Sequence, residues 1–88
     1  MEYEWDEAKS RINAAKHGMA FDFVEALDWS SALIVPDNRH DGELRYTAFG
    51  FIGDRLYVCI YTWRSQKRRI ISLRKANSRE RKFYEKET

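Results

Sequence analysis

The residues most able to do chemistry gather near the end of the chain. Arg64, Arg69 and Arg74 recur at a spacing of five across two segments with strand character. Guanidinium groups suit phosphate, because a planar fork donates two hydrogen bonds to one anion at once. Which arginines converge depends on the connection between the two strands. A four-residue loop sets Arg64 across from Arg69 on one face. A three-residue loop pairs positions 64 and 68 and puts Arg64 and Arg74 on a common face. Like charges directly opposed weaken a sheet, so several guanidiniums on neighbouring strands point to a bound anion. Two carboxylates accompany them. Glu43 and Arg45 share a strand face by period two, as a base, as a charge orienting the arginine, or as an ordinary ion pair. Glu80 is the only acid in the stretch 64–82 and is placed to pair with Arg74 or with the neighbours of Arg81.

Other reactive side chains give weaker signals. His17 closes a helix, where an imidazole serves as an acid–base group or, more commonly, caps carbonyls at the negative end of the helix dipole. Two histidines and one cysteine lack metal-ligand spacing, so neither a metal site nor a cofactor is expected. Cys59 falls in mid-strand and reads as a core residue. No glycine-rich nucleotide loop and no nucleophile elbow is present. Tyr57, Tyr61 and Trp63 alternate along one strand, as a base-stacking platform or, by the commoner use, as core.

The elements that must position these groups are short. The chain has 88 residues and 10.6 kDa, enough for one domain over 1–88 with one small core. At 43% hydrophobic and 15% aromatic it is not a disordered polymer, despite 34% charge. A single Cys excludes a disulfide-stapled secreted scaffold. No apolar run nears the roughly 20 residues of a membrane span and no signal peptide opens the chain, so a soluble cytoplasmic protein is expected. Net charge is only +2, but its distribution is lopsided. Residues 1–63 carry 6 Lys and Arg against 11 Asp and Glu, whereas residues 64–82 carry 9 against one. That block fits a polyanion surface or an acidic partner.

Along the chain, Met1–Trp5 alternates as a short strand, and Asp6 suits the N-cap of a helix ending at His17, stopped by Gly18. Ala8, Ile12 and Ala15 form the inward stripe expected of that helix. A second helix is expected over about Asp22–Trp29, with Phe23, Ala26 and Leu27 inward. Strands follow at Ala32–Val35, ended by Pro36, then at Glu43–Ile52, Arg55–Arg64 and Arg68–Lys75, with a polar loop at Asn38–Gly42 and turns at Gly53–Asp54 and Ser65–Lys67. A last helix, Arg79–Lys86, is capped by Ser78 without a capping box. The order β-α-α-β-β-β-β-α describes an α+β fold, an antiparallel sheet of four or five strands with two N-terminal helices and one C-terminal helix. The helices are expected on one sheet face, leaving the other open to the basic strands.

The ordered residues also resemble the BrnT toxins of bacterial type II toxin–antitoxin pairs. The likeness runs through Glu4-Trp5-Asp6, Lys9, Asn13, Lys16-His17-Gly18, Phe21, Ala26, Asp37, Glu43, Arg45-Tyr46 and Gly50. It continues through Tyr61-Thr62-x-Arg64, Arg69-Ile70-Ile71-Ser72-x-Arg74-x-Ala76, Glu80-Arg81 and Tyr84. Departures are confined to Met19-Ala20 and Leu73, none of them charged. The resemblance implies a RelE-like fold and a ribonuclease that arrests growth. It also implies a DNA-binding BrnA antitoxin, a toxin–antitoxin heterotetramer, and contact with operator DNA only through the antitoxin.

On that basis RNA would be cut without metal by its own 2′-OH. Arg64 and Arg74 would stabilise the transition state, and Glu43 or Glu80 would act as base or orient an arginine, with His17 as an outside candidate. Arg45, Arg69, Lys67, Arg68, Arg81 and Tyr84 would hold the strand. A non-catalytic module that binds RNA or an acidic partner is the alternative, told apart by turnover. A third reading makes the basic patch the antitoxin-docking surface.

Overall fold

The computed structural model describes residues 2–40 and 42–88. Met1 and Asp41, which fall in the expected first strand and polar loop, lie outside the described residues. Strand β1 (Tyr3–Glu4) leads into helix α1 (Glu7–His17), then into two short 3-10 segments, Phe21–Ala26 and Trp29–Ser31. Strands β2 (Leu33–His40), β3 (Glu43–Ile52), β4 (Arg55–Arg64) and β5 (Lys67–Lys75) follow, and helix α2 (Ser78–Glu87) ends the chain. The sheet order is β1-β5-β4-β3-β2. Strands β2 to β5 pair antiparallel, but β1 runs parallel to β5, so the sheet is mixed rather than wholly antiparallel.

Local chemistry explains most boundaries. The Asp6 carboxylate accepts from the amides of Ala8 and Lys9 at 2.9 and 3.2 Å, and Gly18 stops α1 at φ +78°. Pro36 does not end β2. The strand lies at the sheet edge, where a missing amide is tolerated. Gly53 takes the positive φ of the tight β3–β4 turn, +63°.

Three expectations need correction. The second α-helix is absent from the described residues. Phe21, Val24 and Leu27 are all buried at a spacing of three, which a 3-10 turn aligns and a 3.6-residue helix does not. Phe23, expected inward, is 50% exposed. The inward face of α1 is polar: Ser10 and Asn13 are buried, whereas Ile12 is 64% exposed. Ser10 Oγ accepts from the amide of Phe21, and Asn13 Nδ2 donates to the carbonyls of Met19 and Leu73 at 2.9 and 2.7 Å. These bonds satisfy backbone groups that burial would otherwise leave costly, and they outrank an isoleucine. Finally, helices cover both sheet faces. Met19, Phe21 and Val24 pack with Cys59, Tyr61 and Leu73 on one face. Tyr84 of α2 packs with Phe49, Leu56 and Val58 on the other, but only over part of it.

Helix α2 starts one residue earlier than expected, with a different cap. Asn77 accepts from the amide of Glu80 at 2.8 Å while the Glu80 carboxylate accepts from the amide of Asn77 at 2.9 Å, a reciprocal capping box.

Candidate functional site

Strand alternation and two irregularities decide where each arginine points. The β4–β5 turn holds two residues, Ser65 and Gln66, both at positive φ (51° and 67°), so Arg64 pairs with Lys67, Trp63 with Arg68 and Thr62 with Arg69. The register then shifts: Ile60 pairs with Ser72 but Tyr61 with Ile70, leaving Ile71 as the extra residue of a bulge. In a regular strand, positions 69 and 74 would face opposite ways. The bulge brings them to one face, together with Arg64 and Lys67. Arg45 and Glu43 of β3 and Glu4 of β1 join this face by register.

Each inner arginine on the face is braced by a carboxylate. Arg74 makes a bidentate pair with Glu80, Nη1 to Oε1 and Nη2 to Oε2, both at 2.8 Å. Arg69 Nη1 meets Glu4 Oε2 at 3.0 Å. Arg45 Nε lies 3.7 Å from Glu43 Oε1, too long for a hydrogen bond, and this buried Nε has no hydrogen-bond partner among the described residues. Arg64 and Lys67 stand at the rim without an ion pair among the described residues. Between them lies a floor of Thr47, Ile60, Thr62 and Ser72, with the Thr62 hydroxyl donating to the carbonyl of Leu44 at 2.8 Å.

The pairing of Glu80 with Arg74 has an electrostatic consequence. The hydrogen bond from Arg74 holds the Glu80 carboxyl below the usual carboxylate range, against the opposing effect of burial. Glu80 in turn raises the Arg74 guanidinium further. Glu80 is therefore ionised at neutral pH and committed to Arg74, which suits it to orient that arginine rather than to move a proton. Burial pushes the Cys59 thiol up to about 12, so this cysteine is an inert core group.

Not every residue singled out from sequence reaches this face. Arg68 points to the opposite one and is only 7% exposed. Its guanidinium carbon lies 3.8 Å from the Trp29 ring centroid, 4.8 Å from Trp63 and 5.2 Å from Tyr61. Tyr61 is core, T-shaped against Trp29 and stacked on Tyr46. Tyr84 packs onto the arginine face beneath α2, and with Arg81 it lies beside Asp54 and Arg55, at the end of β4 opposite Arg64. The Tyr84 hydroxyl donates to the Ser31 carbonyl at 3.0 Å, a tether for α2. His17 ends α1, which packs on the side of the sheet that holds Arg68. Glu4 was missed as a partner of Arg69, because nothing local in sequence signals parallel pairing between the two ends of the chain.

Among the described residues no group of three or more His, Cys, Asp or Glu side chains is gathered as metal ligands, and no helix is long and apolar enough to cross a membrane. The assembly is a small α+β domain whose half-covered sheet face presents arginines held by carboxylates. Guanidiniums held in this way have the geometry and charge that suit phosphate groups. A family profile described as the ribonuclease toxin BrnT of type II toxin–antitoxin systems matches residues 5–80, and the chain belongs to this family. Membership implies a protein antitoxin as partner. Comparison with curated proteins finds no match.

Proposed function

We propose that the chain is the toxin of its pair and cuts RNA on the arginine face without a metal ion. The 2′-OH of one nucleotide attacks the adjacent phosphorus, the 5′-oxygen of the next nucleotide leaves, and a 2′,3′-cyclic phosphate remains. The protein must hold the strand in line, take the 2′-OH proton, offset charge on the phosphorane-like transition state and return a proton to the leaving oxygen. The observation that carries this reading is the Arg74–Glu80 clamp, because a guanidinium fixed at 2.8 Å on both nitrogens costs little to organise when charge develops beside it. Arg64 shares that role from the rim, while Arg69 and Arg45 position neighbouring phosphates and Lys67 adds charge. Glu80 orients Arg74, and the more loosely paired Glu43 is the candidate base.

The partner that silences this surface is a DNA-binding antitoxin of the BrnA type, assembled with the toxin as a heterotetramer that reaches operator DNA through the antitoxin alone. The test is cleavage of RNA by purified protein in EDTA, with wild type beside Arg64→Ala and Arg74→Ala and with the new ends analysed. Cyclic-phosphate ends from wild type, lost in variants that stay folded by circular dichroism, support the mechanism. RNA that is bound but left whole overturns it and makes the chain a binding module.

A further inference from the structure

Beside the arginine face lies a groove that the phosphate chemistry does not use. It encloses about 450 Å³ between β2, β3 and α2. Val35 and Phe49 line it from the sheet, and Phe83 of α2 lines it from above. Phe83 is 39% exposed, although its ring centroid lies only 5.3 Å from that of Phe49, so one aromatic surface is buttressed while part of it stays open to solvent. Asp37, Asn38 and Thr47 add polar groups. Asp37 is the register partner of Arg45, one strand away across the same face. The groove therefore begins one strand, about 4.8 Å between backbones, from Arg45, the residue assigned to phosphate.

We infer that this groove is a nucleobase subsite of the RNA-binding face and that it takes guanine. The inference rests on the RNA reading above. A nucleotide whose phosphate sits at Arg45 has its base within reach of the groove, and an unstacked base on an open aromatic ring is how single-stranded RNA is gripped. The choice of base follows from Asp37. An ionised carboxylate only accepts hydrogen bonds. Guanine alone presents two donors side by side on its Watson–Crick edge, N1–H and N2–H. Adenine and cytosine place an acceptor beside the donor, and uracil sets one donor between two acceptors. Asp37 also has an interaction within the protein. With about four lone-pair sites it accepts a further partner.

The experiment measures binding of short 2′-O-methyl oligonucleotides, which lack the attacking hydroxyl and cannot be cut. One carries a single guanine in a uridine background, two others carry adenine or cytosine there, and one is all uridine. The guanine oligonucleotide is expected to bind wild type roughly tenfold tighter than the all-uridine one, the scale of one bidentate base contact. Asp37→Asn removes that preference while all-uridine binding stays the same or tightens slightly. Phe83→Leu keeps apolar packing on Phe49 but removes the ring, and weakens all four oligonucleotides roughly fivefold. Phe83→Trp restores them. Equal binding of the four by wild type, or a guanine preference that survives Asp37→Asn, overturns the subsite. Because these probes cannot be cleaved, a guanine preference without ribonuclease activity keeps the subsite and removes only the catalytic reading. Cleavage without the preference does the reverse.

Discussion

Arg68 and Arg69 are neighbours in sequence, and β5 sends them to opposite sides of the sheet. Arg68 enters a box of Trp29, Tyr61 and Trp63, where π faces replace water around the charge. Arg69 stays part-exposed and meets Glu4, in line with the braced Arg74 and Arg45. One face thus uses arginine to fill a core, and its charge is spent on packing. The other holds arginines in fixed geometry with part of each guanidinium open to an incoming anion. A count of basic residues would treat the two alike. The difference comes from alternation along the strand, which sets a buried arginine next to a braced, part-exposed one.

The largest effect expected is on the open face. Arg74→Ala should lower the rate of RNA cleavage by roughly 10²–10³-fold, with a much smaller change in unfolding free energy, because the side chain lies on a part-exposed face. Single-turnover cleavage set beside denaturant unfolding reads both quantities. A variant that loses stability and keeps its rate would place Arg74 with Arg68 as a packing residue and dissolve the distinction.

Arg68 should show the opposite signature. Arg68→Met keeps the apolar stem and removes the cation from the three rings, so about 2 kcal/mol of stability should be lost, the scale of a desolvated cation–π contact. The rate per folded molecule, measured well below the unfolding midpoint, should stay within about twofold. A folded Arg68→Met protein without activity would show that the aromatic face takes part in the reaction.

How much of this was legible in sequence depends on the range of the signal. The bounds of β3 and β4, the Gly53–Asp54 turn, the Asp6 cap and the Gly18 stop all follow from local chemistry, and each matches the structure. The convergence of Arg64, Arg69 and Arg74 did not follow. It requires a two-residue turn at Ser65-Gln66, which lacks the Asn-Gly or Asp-Gly signal of such turns, and a bulge at Ile71 that no residue announces. Neither loop length weighed from sequence was the observed one, although one of them gave the right outcome for Arg64 and Arg74 for a different reason. The parallel pairing that brings Glu4 to Arg69 is a contact between the two ends of the chain, beyond any periodicity. The Asn77-x-x-Glu80 box was readable and was masked by the serine beside it.

A smaller effect tests how the bracing works. The Glu80 carboxyl is held below its ordinary range chiefly by Arg74, so its contribution to stability is full above the unfolded carboxylate pKa, near 4.3, and is lost as pH falls through the lower folded value. Glu80→Gln should cost about 1 kcal/mol at neutral pH, the scale of a part-screened charged hydrogen bond, and should remove this acid-side step. Urea unfolding of both proteins from neutral pH down to about pH 3 measures it. If the two curves stay parallel throughout, Glu80 carries no differential charge and Arg74 is held by something else. The rate of Glu80→Gln sharpens the assignment further. An orienting residue leaves partial activity and an unshifted acid limb of the pH–rate profile, whereas loss of the general base removes that rise of rate with pH.

The smallest effect concerns α1, where sequence and structure disagree over which side faces in. Ile12 is 64% exposed, and Ser10 and Asn13 take the buried positions. Ile12→Ser should therefore change the unfolding free energy by no more than about 0.5 kcal/mol, as at an ordinary surface site. A loss above about 1 kcal/mol would mean that the Ala8–Ile12–Ala15 stripe packs inward in solution. Helix α1 would then be rotated about its axis, and Asn13 would leave the carbonyl of Leu73. That carbonyl lies two residues past the bulge that turns Arg69 and Arg74 to one face. The burial of one asparagine on α1 is thus tied to the placement of the arginines across the sheet, and a mutation at the exposed isoleucine tests whether that tie exists.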